Sequence, residues 1–304
     1  MASLKQMSAL SPLQIWLLAA RPKTLPAAAA PVVVGTAVAF SENVFALLPA
    51  MAALLGSLLI QIGTNFANDV FDFKKGADTT ERLGPLRVTQ AGLLTPNQVM
   101  AGMWLTFGLA SLIGLYLVWV GGWPIVVIGL LSIASGIAYT GGPFPLGYNG
   151  LGDLFVFIFF GLFAVTGTYY VQAGTISPAA LWAAIPIGLL ATAILVVNNL
   201  RDIDTDRAAG KKTLAVRFGT RAAQLEYILL LSLSYLIPLL MWLTGLESAW
   251  LLLTWLSLPL TRPLLTMIFN EKGRPLNAAL AGTARLELLY AFLFSVGLIG
   301  GRFF

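Results

Sequence analysis

Gln61-Ile-Gly-Thr-Asn65-Phe-Ala-Asn68-Asp69-Val-Phe-Asp72-Phe-Lys74-Lys75-Gly-Ala-Asp78 decides how this chain is read. The stretch begins in the last turns of an apolar run long enough to cross a bilayer, and it ends in charge. At 3.6 residues per turn, Gln61, Asn65, Asn68 and Asp72 follow i, i+4, i+7, i+11 and share one helix face. Amides and a carboxylate stacked inside a membrane helix are costly unless they meet a partner, a cavity or a cation. A helix end solvating itself accounts for Asp72 and Lys74. It leaves Gln61 and Asn65, about two turns or more deeper, unexplained.

The surrounding composition fits a membrane setting. Of 304 residues, 58% are hydrophobic and only 10% charged, with a mean hydropathy of +0.85. Cysteine and histidine are both absent. Thiol nucleophiles, disulfides, imidazole bases and Cys/His zinc sites are thereby excluded, leaving carboxylates, amides, hydroxyls, Lys/Arg and hard cations. Apolar runs at 13–39, 45–70, 97–119, 122–140, 151–172, 178–200, 223–243, 248–269 and 279–300 predict an all-α integral membrane protein of about nine transmembrane helices. Prolines interrupt the first (Pro26, Pro31), sixth (Pro186) and seventh (Pro238). No linker or low-complexity tract divides them, so a single membrane domain over 1–304 is expected. The polar first eleven residues are not followed by a short apolar segment and cleavage site, so no secretory signal is read there.

Loop charge sets an orientation. Lys5, Arg21 and Lys23, then Lys74, Lys75, Arg82 and Arg87, then Arg201, Arg207, Lys211, Lys212, Arg217 and Arg221, and finally Lys272 and Arg274 fall on one side. The connections 41–44, 120–122, 172–177 and 244–247 hold no Lys or Arg. The positive-inside rule puts the N-terminus and the charged loops in the cytoplasm and the C-terminus outside a cell (inner) membrane. The net charge of +5 thus reflects topology and the lipid bilayer, and nucleic acid is not an expected partner.

All seven aspartates share that side, six of them in two clusters. The second cluster is Asn198-Asn199-Leu-Arg201-Asp202-Ile-Asp204-Thr-Asp206-Arg207-Ala-Ala-Gly210-Lys211-Lys212. Asn198, Asp202 and Asp206 share a face if helix six continues that far, and Asp204 points elsewhere. Converging carboxylates need compensation, and oxygen donors from Asp and Asn suit Mg²⁺, which fills its octahedron with water and phosphate oxygens. The basic rim (Lys74, Lys75, Arg201, Arg207, Lys211, Lys212) suits a diphosphate. Its alternative role is topology and lipid headgroups.

Asn68-x3-Asp72-x3-Gly76-x-Asp78 and Asn198-Asn199-x-Arg201-Asp202-x3-Asp206-Arg207-x2-Gly210 resemble the two aspartate-rich motifs of the UbiA superfamily of membrane prenyltransferases. Arg21-Pro-Lys-Thr-Leu-Pro26 and the stretch from Tyr139 through Tyr148 to Asp153 resemble the branch that prenylates 1,4-dihydroxy-2-naphthoate. The resemblance implies a helical bundle with a central cavity open to the cytoplasmic side. It also implies transfer of an isoprenoid chain from a prenyl diphosphate to an aromatic acid, with Mg²⁺ as cofactor. Metal-mediated diphosphate binding is carried over to Asn68, Asp72, Asp78, Asp202 and Asp206, with Asp69 and Asn65 as second choices. Many members have Tyr-x3-Lys after helix four, but here Pro143 follows Tyr139 at that distance, so other loop cations must cover the role.

The acceptor end is less legible. Arg21 and Lys23 are candidates for a substrate carboxylate or for orientation-setting charge. Asp153 is a candidate base for a ring hydroxyl or a cap of helix five. Tyr139 and Tyr148 are candidate diphosphate contacts or interfacial aromatics. Phe155, Phe157, Phe159, Phe160 and Phe163 suit either a prenyl tunnel or a lipid-facing surface, the second being expected for most. Trp119 and Trp123 read as interface anchors, and Arg285 and Glu287 as structural. Alternatives within the class use 4-hydroxybenzoate, homogentisate, or haem or chlorophyll acceptors. From another class, a secondary transporter would use intramembrane Asn/Asp groups for substrate and a coupling ion.

Overall fold

The computed structural model describes residues 10–77 and 83–303, so Asp78, Arg82 and Lys5 lie outside the described residues. Nine principal helices run back and forth among the described residues: α1 (Pro12–Ser41), α2 (Leu47–Lys74), α3 (Pro96–Gly121), α4 (Trp123–Ala138), α5 (Gly152–Ala173), α6 (Pro178–Arg201), α7 (Thr220–Leu243), α8 (Ala249–Asn270) and α9 (Leu276–Phe303). Eight are long and apolar enough to cross a membrane, and α4, at 16 residues, is the shorter ninth. No strand occurs among the described residues. Local chemistry sets several starts. Ser11 with Gln14 and Thr95 with Gln98 form capping boxes, each followed by a proline in the first turn.

The expected break in α1 falls earlier than Pro26 and Pro31. The helix stops at Ala20, Arg21 takes a left-handed conformation (φ 53°), and Pro22–Thr24 forms a 3₁₀ turn before Leu25 restarts it. Arg21 precedes a proline, which disfavours helical backbone there. Pro26 sits in the first turn of the new segment, where its missing N–H costs nothing. Two other spans depart from the α form. Phe157–Thr166 of α5 is π-helical, and Ala249–Leu260 of α8 is 3₁₀.

Helix α6 is the centre, the most enclosed of the spans. Its buried face is small (Ala179, Ala180, Ala183, Ala184, Gly188, Ala191, Ala193), which lets neighbouring backbones approach as membrane helices require. At the α5–α6 crossing, a Cβ on Gly161 would lie 2.7 Å from the Gly188 Cα and 2.8 Å from the Ala184 carbonyl. The main core joins α6 to the second half of α1 and to α5 and α7–α9. A smaller one joins the start of α1 to α2, Val88 and α3. Trp119 and Trp123 are 81% and 76% exposed, as membrane-interface anchors are. Glu287 of α9 is fully enclosed, and neither of its carboxylate oxygens has a hydrogen-bond partner among the described residues.

Candidate functional site

The polar side chains of the quoted stretch each meet a definite partner. At the α1 break the carbonyl of Ala20 has lost its helical donor, and Asn65 Nδ2 supplies one at 2.9 Å while also donating to Thr24 Oγ1 at 2.9 Å. Gln61 Nε2 donates to the same hydroxyl at 3.3 Å. The deep amides therefore hold the turn that displays Arg21 and Lys23. Asn68 Oδ1 accepts from Thr140 Oγ1 at 3.0 Å, tying α2 to the end of α4.

Asp69 turns away from this face. Its two oxygens accept the backbone N–H groups of Val88 and Thr89, both at 3.1 Å, which makes it the anchor of the α2–α3 connection. Asp72, buried, accepts from Arg87 Nη2 at 2.9 Å on one oxygen and from the Tyr148 hydroxyl at 2.7 Å on the other.

The second motif is kinked where continuity was expected. Helix α6 ends at Arg201, and a short helix, Ile203–Ala208, follows with Asp202 as its cap. The hydrogen-bond ladder nevertheless carries across, from Asp202 N to Asn198 O at 3.1 Å and from Asp206 N to Asp202 O at 2.7 Å. Arg201 grips Asp202 with Nε at 2.8 Å and with Nη2, and reaches Asn198 Oδ1 at 2.8 Å and Asn277 Oδ1 of α9 at 2.9 Å. Asn277 also donates to the Leu83 carbonyl at 2.8 Å, drawing the α2–α3 connection onto the same end. Asn199 is buried, Asp204 forms an exposed pair with Arg207, and Asp206 Oδ1 lies 3.2 Å from Lys211 Nζ.

The two motifs meet at the α4–α5 connection. Lys75 and Lys211 place their ammonium groups 5.0 and 4.8 Å from the centre of the Tyr148 ring, and Lys212 N donates to the Tyr148 carbonyl at 2.7 Å. Asp206 lies within electrostatic reach of both Asp202 and Asp72; burial pushes its pKa up, with Lys211 opposing. Tyr139 is held well above the usual phenol range, first by burial and then by Asp153, Asp206 and Asp72. Burial pushes the Lys75 pKa down, and Asp72 opposes. Lys23, Lys74 and Lys212 are exposed.

Asp153 stands in the first turn of α5, where its carboxylate interacts with its own backbone N–H, and its buried Oδ1 has no hydrogen-bond partner among the described residues. Glu226 of α7 faces it within electrostatic reach. Sequence reasoning passed over Glu226, whose only signal was a lone acid near the start of an apolar span. It also passed over Arg87 and Thr140 as partners of the first motif, and these contacts had no sequence signal.

Next to this polar end lies a cavity of about 410 Å³. It runs from Gln61, Thr64 and Tyr139 to Val118, Ile125 and Val171, and helices α1–α5 alone line it. Phe155, Phe159, Phe160 and Phe163 face it, against the expectation that most of this aromatic run meets lipid. Phe155 stacks on Phe159 at 6.0 Å and Phe159 meets Phe163 edge-on at 5.1 Å. Residues four apart lie on one face of a helix, which brings these three rings together. Phe157 alone turns to α6, against Gly188.

A polar, cation-rimmed mouth on an apolar chamber suits an amphiphile with an anionic head. No three acidic side chains among the described residues form a ready metal cage. Mg²⁺ needs only one or two protein carboxylates beside phosphate oxygens. The all-oxygen donor set of Asn68, Asp72, Asp202 and Asp206 therefore fits that ion.

The model of the UbiA prenyltransferase family matches residues 28–299. The chain belongs to this family. Over 94% of its length it is 41% identical to the 1,4-dihydroxy-2-naphthoate octaprenyltransferase of Escherichia coli (strain K12), covering 95% of that protein. The Bacillus subtilis (strain 168) enzyme of the same name is 34% identical over 92% of this chain and 90% of its own. Among solved structures, the apo UbiA homolog from Aeropyrum pernix K1 superposes with a TM-score of 0.69 at 15% identity, covering 92% of this chain and 98% of that one. The UbiA homolog from Archaeoglobus fulgidus bound to GPP and Mg²⁺ gives 0.66 at 16% identity, covering 93% and 100%. At such identities these structures establish the fold, and the protein is a multi-pass membrane protein of UbiA type.

Proposed function

We propose that this protein transfers an isoprenoid chain from its diphosphate to 1,4-dihydroxy-2-naphthoate, releasing diphosphate and CO₂ and making the demethylated precursor of menaquinone. The observation that carries the reading is the meeting of both Asp/Asn motifs at Tyr148, next to an apolar chamber. Relatives named for this acceptor, at 34–41% identity across most of the chain, favour it over 4-hydroxybenzoate, homogentisate or haem and chlorophyll acceptors. Family membership favours transfer over a transporter. Clustering of the described loop cations at the motif end supports a cytoplasmic mouth and an external C-terminus.

Asn68 and Asp72 from one motif, with Asp202 and Asp206 from the other, would hold Mg²⁺, and Asp78 is carried over from the family pattern. Bound there, the ion supplies Lewis acidity to the diphosphate oxygens. Lys74, Lys75, Lys211 and Lys212 add positive charge around the leaving group, while Arg201, braced by Asn198, holds Asp202 in place. The allylic C–O bond breaks with its electron pair going to diphosphate, and the aromatic rings of the chamber exclude water from the carbocation.

Asp153 takes the ring-hydroxyl proton, and the ring carbon bearing the carboxylate forms the new C–C bond. The resulting β-keto acid loses CO₂. The electron pair from that bond restores the aromatic ring, and the hydroxyl regains its proton from Asp153. Arg21 and Lys23, displayed by the Asn65-held turn, bind the acceptor carboxylate until it leaves.

The experiment is direct. Purified protein, Mg²⁺ and one labelled prenyl diphosphate are incubated with a panel of aromatic acids, and products are identified by mass. A prenylated, decarboxylated naphthalenediol with stoichiometric pyrophosphate supports the reading. Failure to consume the naphthoate while another acid is prenylated would refute the acceptor assignment.

A further inference from the structure

The site holds two lysines on flexible stems that neither motif fixes alone. Lys75 follows the first motif and Lys211 the second. Both sit at loops where an ammonium group is free to extend into water, at a rotamer entropy gain. Instead their Nζ atoms stand over one aromatic ring, 5.0 and 4.8 Å from its centroid. Ring faces attract cations, and more strongly as water is excluded.

The ring itself is fixed from several directions. Its hydroxyl donates to Asp72 at 2.7 Å, and its carbonyl accepts from Lys212 N at 2.7 Å. The next carbonyl, of Asn149, accepts from Arg217 Nη2 at 2.8 Å. Gly150 then turns with φ +77°, so close to the second motif that a Cβ there would lie 2.8 Å from the Lys212 carbonyl. Lys75 Nζ adds a bond to the Gly142 carbonyl at 3.3 Å, and Lys211 Nζ its contact with Asp206 at 3.2 Å.

We propose that Tyr148 is a positioning residue for the substrate's pyrophosphoryl group: its ring holds Lys75 and Lys211, one from each motif, as a preset pair of cations between Asp72 and Asp206. This deepens the prenyl-transfer reading and rests on it. Tyr148 acts on the anion through the lysines. Replacing the ring therefore removes part of what the lysines contribute without removing their charge.

The test is titration calorimetry of the detergent-solubilised protein with inorganic pyrophosphate and Mg²⁺, on Tyr148→Leu, Tyr148→Phe, Lys75→Gln and the Tyr148→Leu/Lys75→Gln pair. Tyr148→Leu is expected to weaken pyrophosphate binding about tenfold or more, and Tyr148→Phe, which keeps the ring, by less than about threefold. Lys75→Gln is expected to cost about tenfold in the wild-type background and under about threefold when Tyr148 is already leucine, since the two act together. In turnover, KM for the prenyl diphosphate rises in Tyr148→Leu while KM for the aromatic acid stays put.

If the leucine variant does not fold, Tyr148→Gln takes its place, removing the ring while keeping a donor toward Asp72, with the same criteria. Wild-type-like pyrophosphate affinity in the ringless variant, or a Lys75 effect of equal size in both backgrounds, overturns the proposal and leaves Tyr148 as a loop anchor. Absence of pyrophosphate binding by the wild-type protein overturns the prenyl-transfer reading as well, so the two failures are distinguishable.

Discussion

Arg201→Met removes the cation that Asp202 faces, and its cost follows from the enclosure of the pair. The side chains of Arg201 and Asp202 are 1% and 12% exposed, so water cannot replace the guanidinium. The substitution deletes both bonds to the carboxylate and those to Asn198 and Asn277. Removing one member of a buried ion pair typically costs about 3–5 kcal/mol, most of it from the charge left behind. Arg201→Met/Asp202→Asn leaves no such charge, and its cost is expected to fall to about 1 kcal/mol or less, because neutral replacement of a buried pair is often tolerated. Reversible unfolding in mixed micelles, titrated with dodecyl sulfate, measures both. A single variant within about 1 kcal/mol of wild type, or a double variant no more stable than the single, would show that Arg201 does not hold Asp202 in this way.

Asp72→Ala and Asp202→Ala are each expected to cut turnover below about a tenth, since electrostatic contributions of this kind are usually worth about a hundredfold or more; membrane insertion, followed by fractionation, stays intact. Gly129→Phe should shorten the accepted chain. A Cβ at Gly129 meets nothing within 4 Å, so a phenyl side chain there would project into the 410 Å³ chamber that Gly129 lines. Competition between long and two-unit prenyl diphosphates should show at least about a tenfold relative loss for the long one. At the other end of the bundle, burial and then Glu42 raise the Glu247 pKa from 4.5 to about 7. Between those values the folded protein binds more protons than the unfolded chain, so stability falls as pH rises through the window and levels off above it. Melting temperatures measured from pH 4.5 to 8 should decline less steeply in Glu247→Gln.

The helices were legible because each is an apolar run bounded by charge or turn residues, and the observed spans lie within a few residues of those expected. The partners of the polar residues were not. Asn65 and Gln61 looked like groups reaching for a ligand, yet they serve a backbone opened at Arg21, about forty residues away in sequence. Asp69 and Asp72 are equivalent by composition, but three residues apart on α2 they became a loop anchor and a site carboxylate. The α5 aromatics shared a face by spacing alone, but nothing in the sequence said that this face meets an internal cavity rather than lipid. Asp202 broke the expected continuation of α6 through its own backbone angles (φ −99°, ψ 10°), which no residue pattern announced.

The chamber draws every wall from residues 28–171, whereas α6 and the helices after it form a dense scaffold that contributes none of it. On the prenyl-transfer reading, the first five helices carry the whole tail compartment, and α1 and α5 also pack into the core with α6. Selection, or an engineer, can resculpt the hydrocarbon compartment at α2–α4 without touching that core. Chain-length preference is the property of this architecture most open to drift.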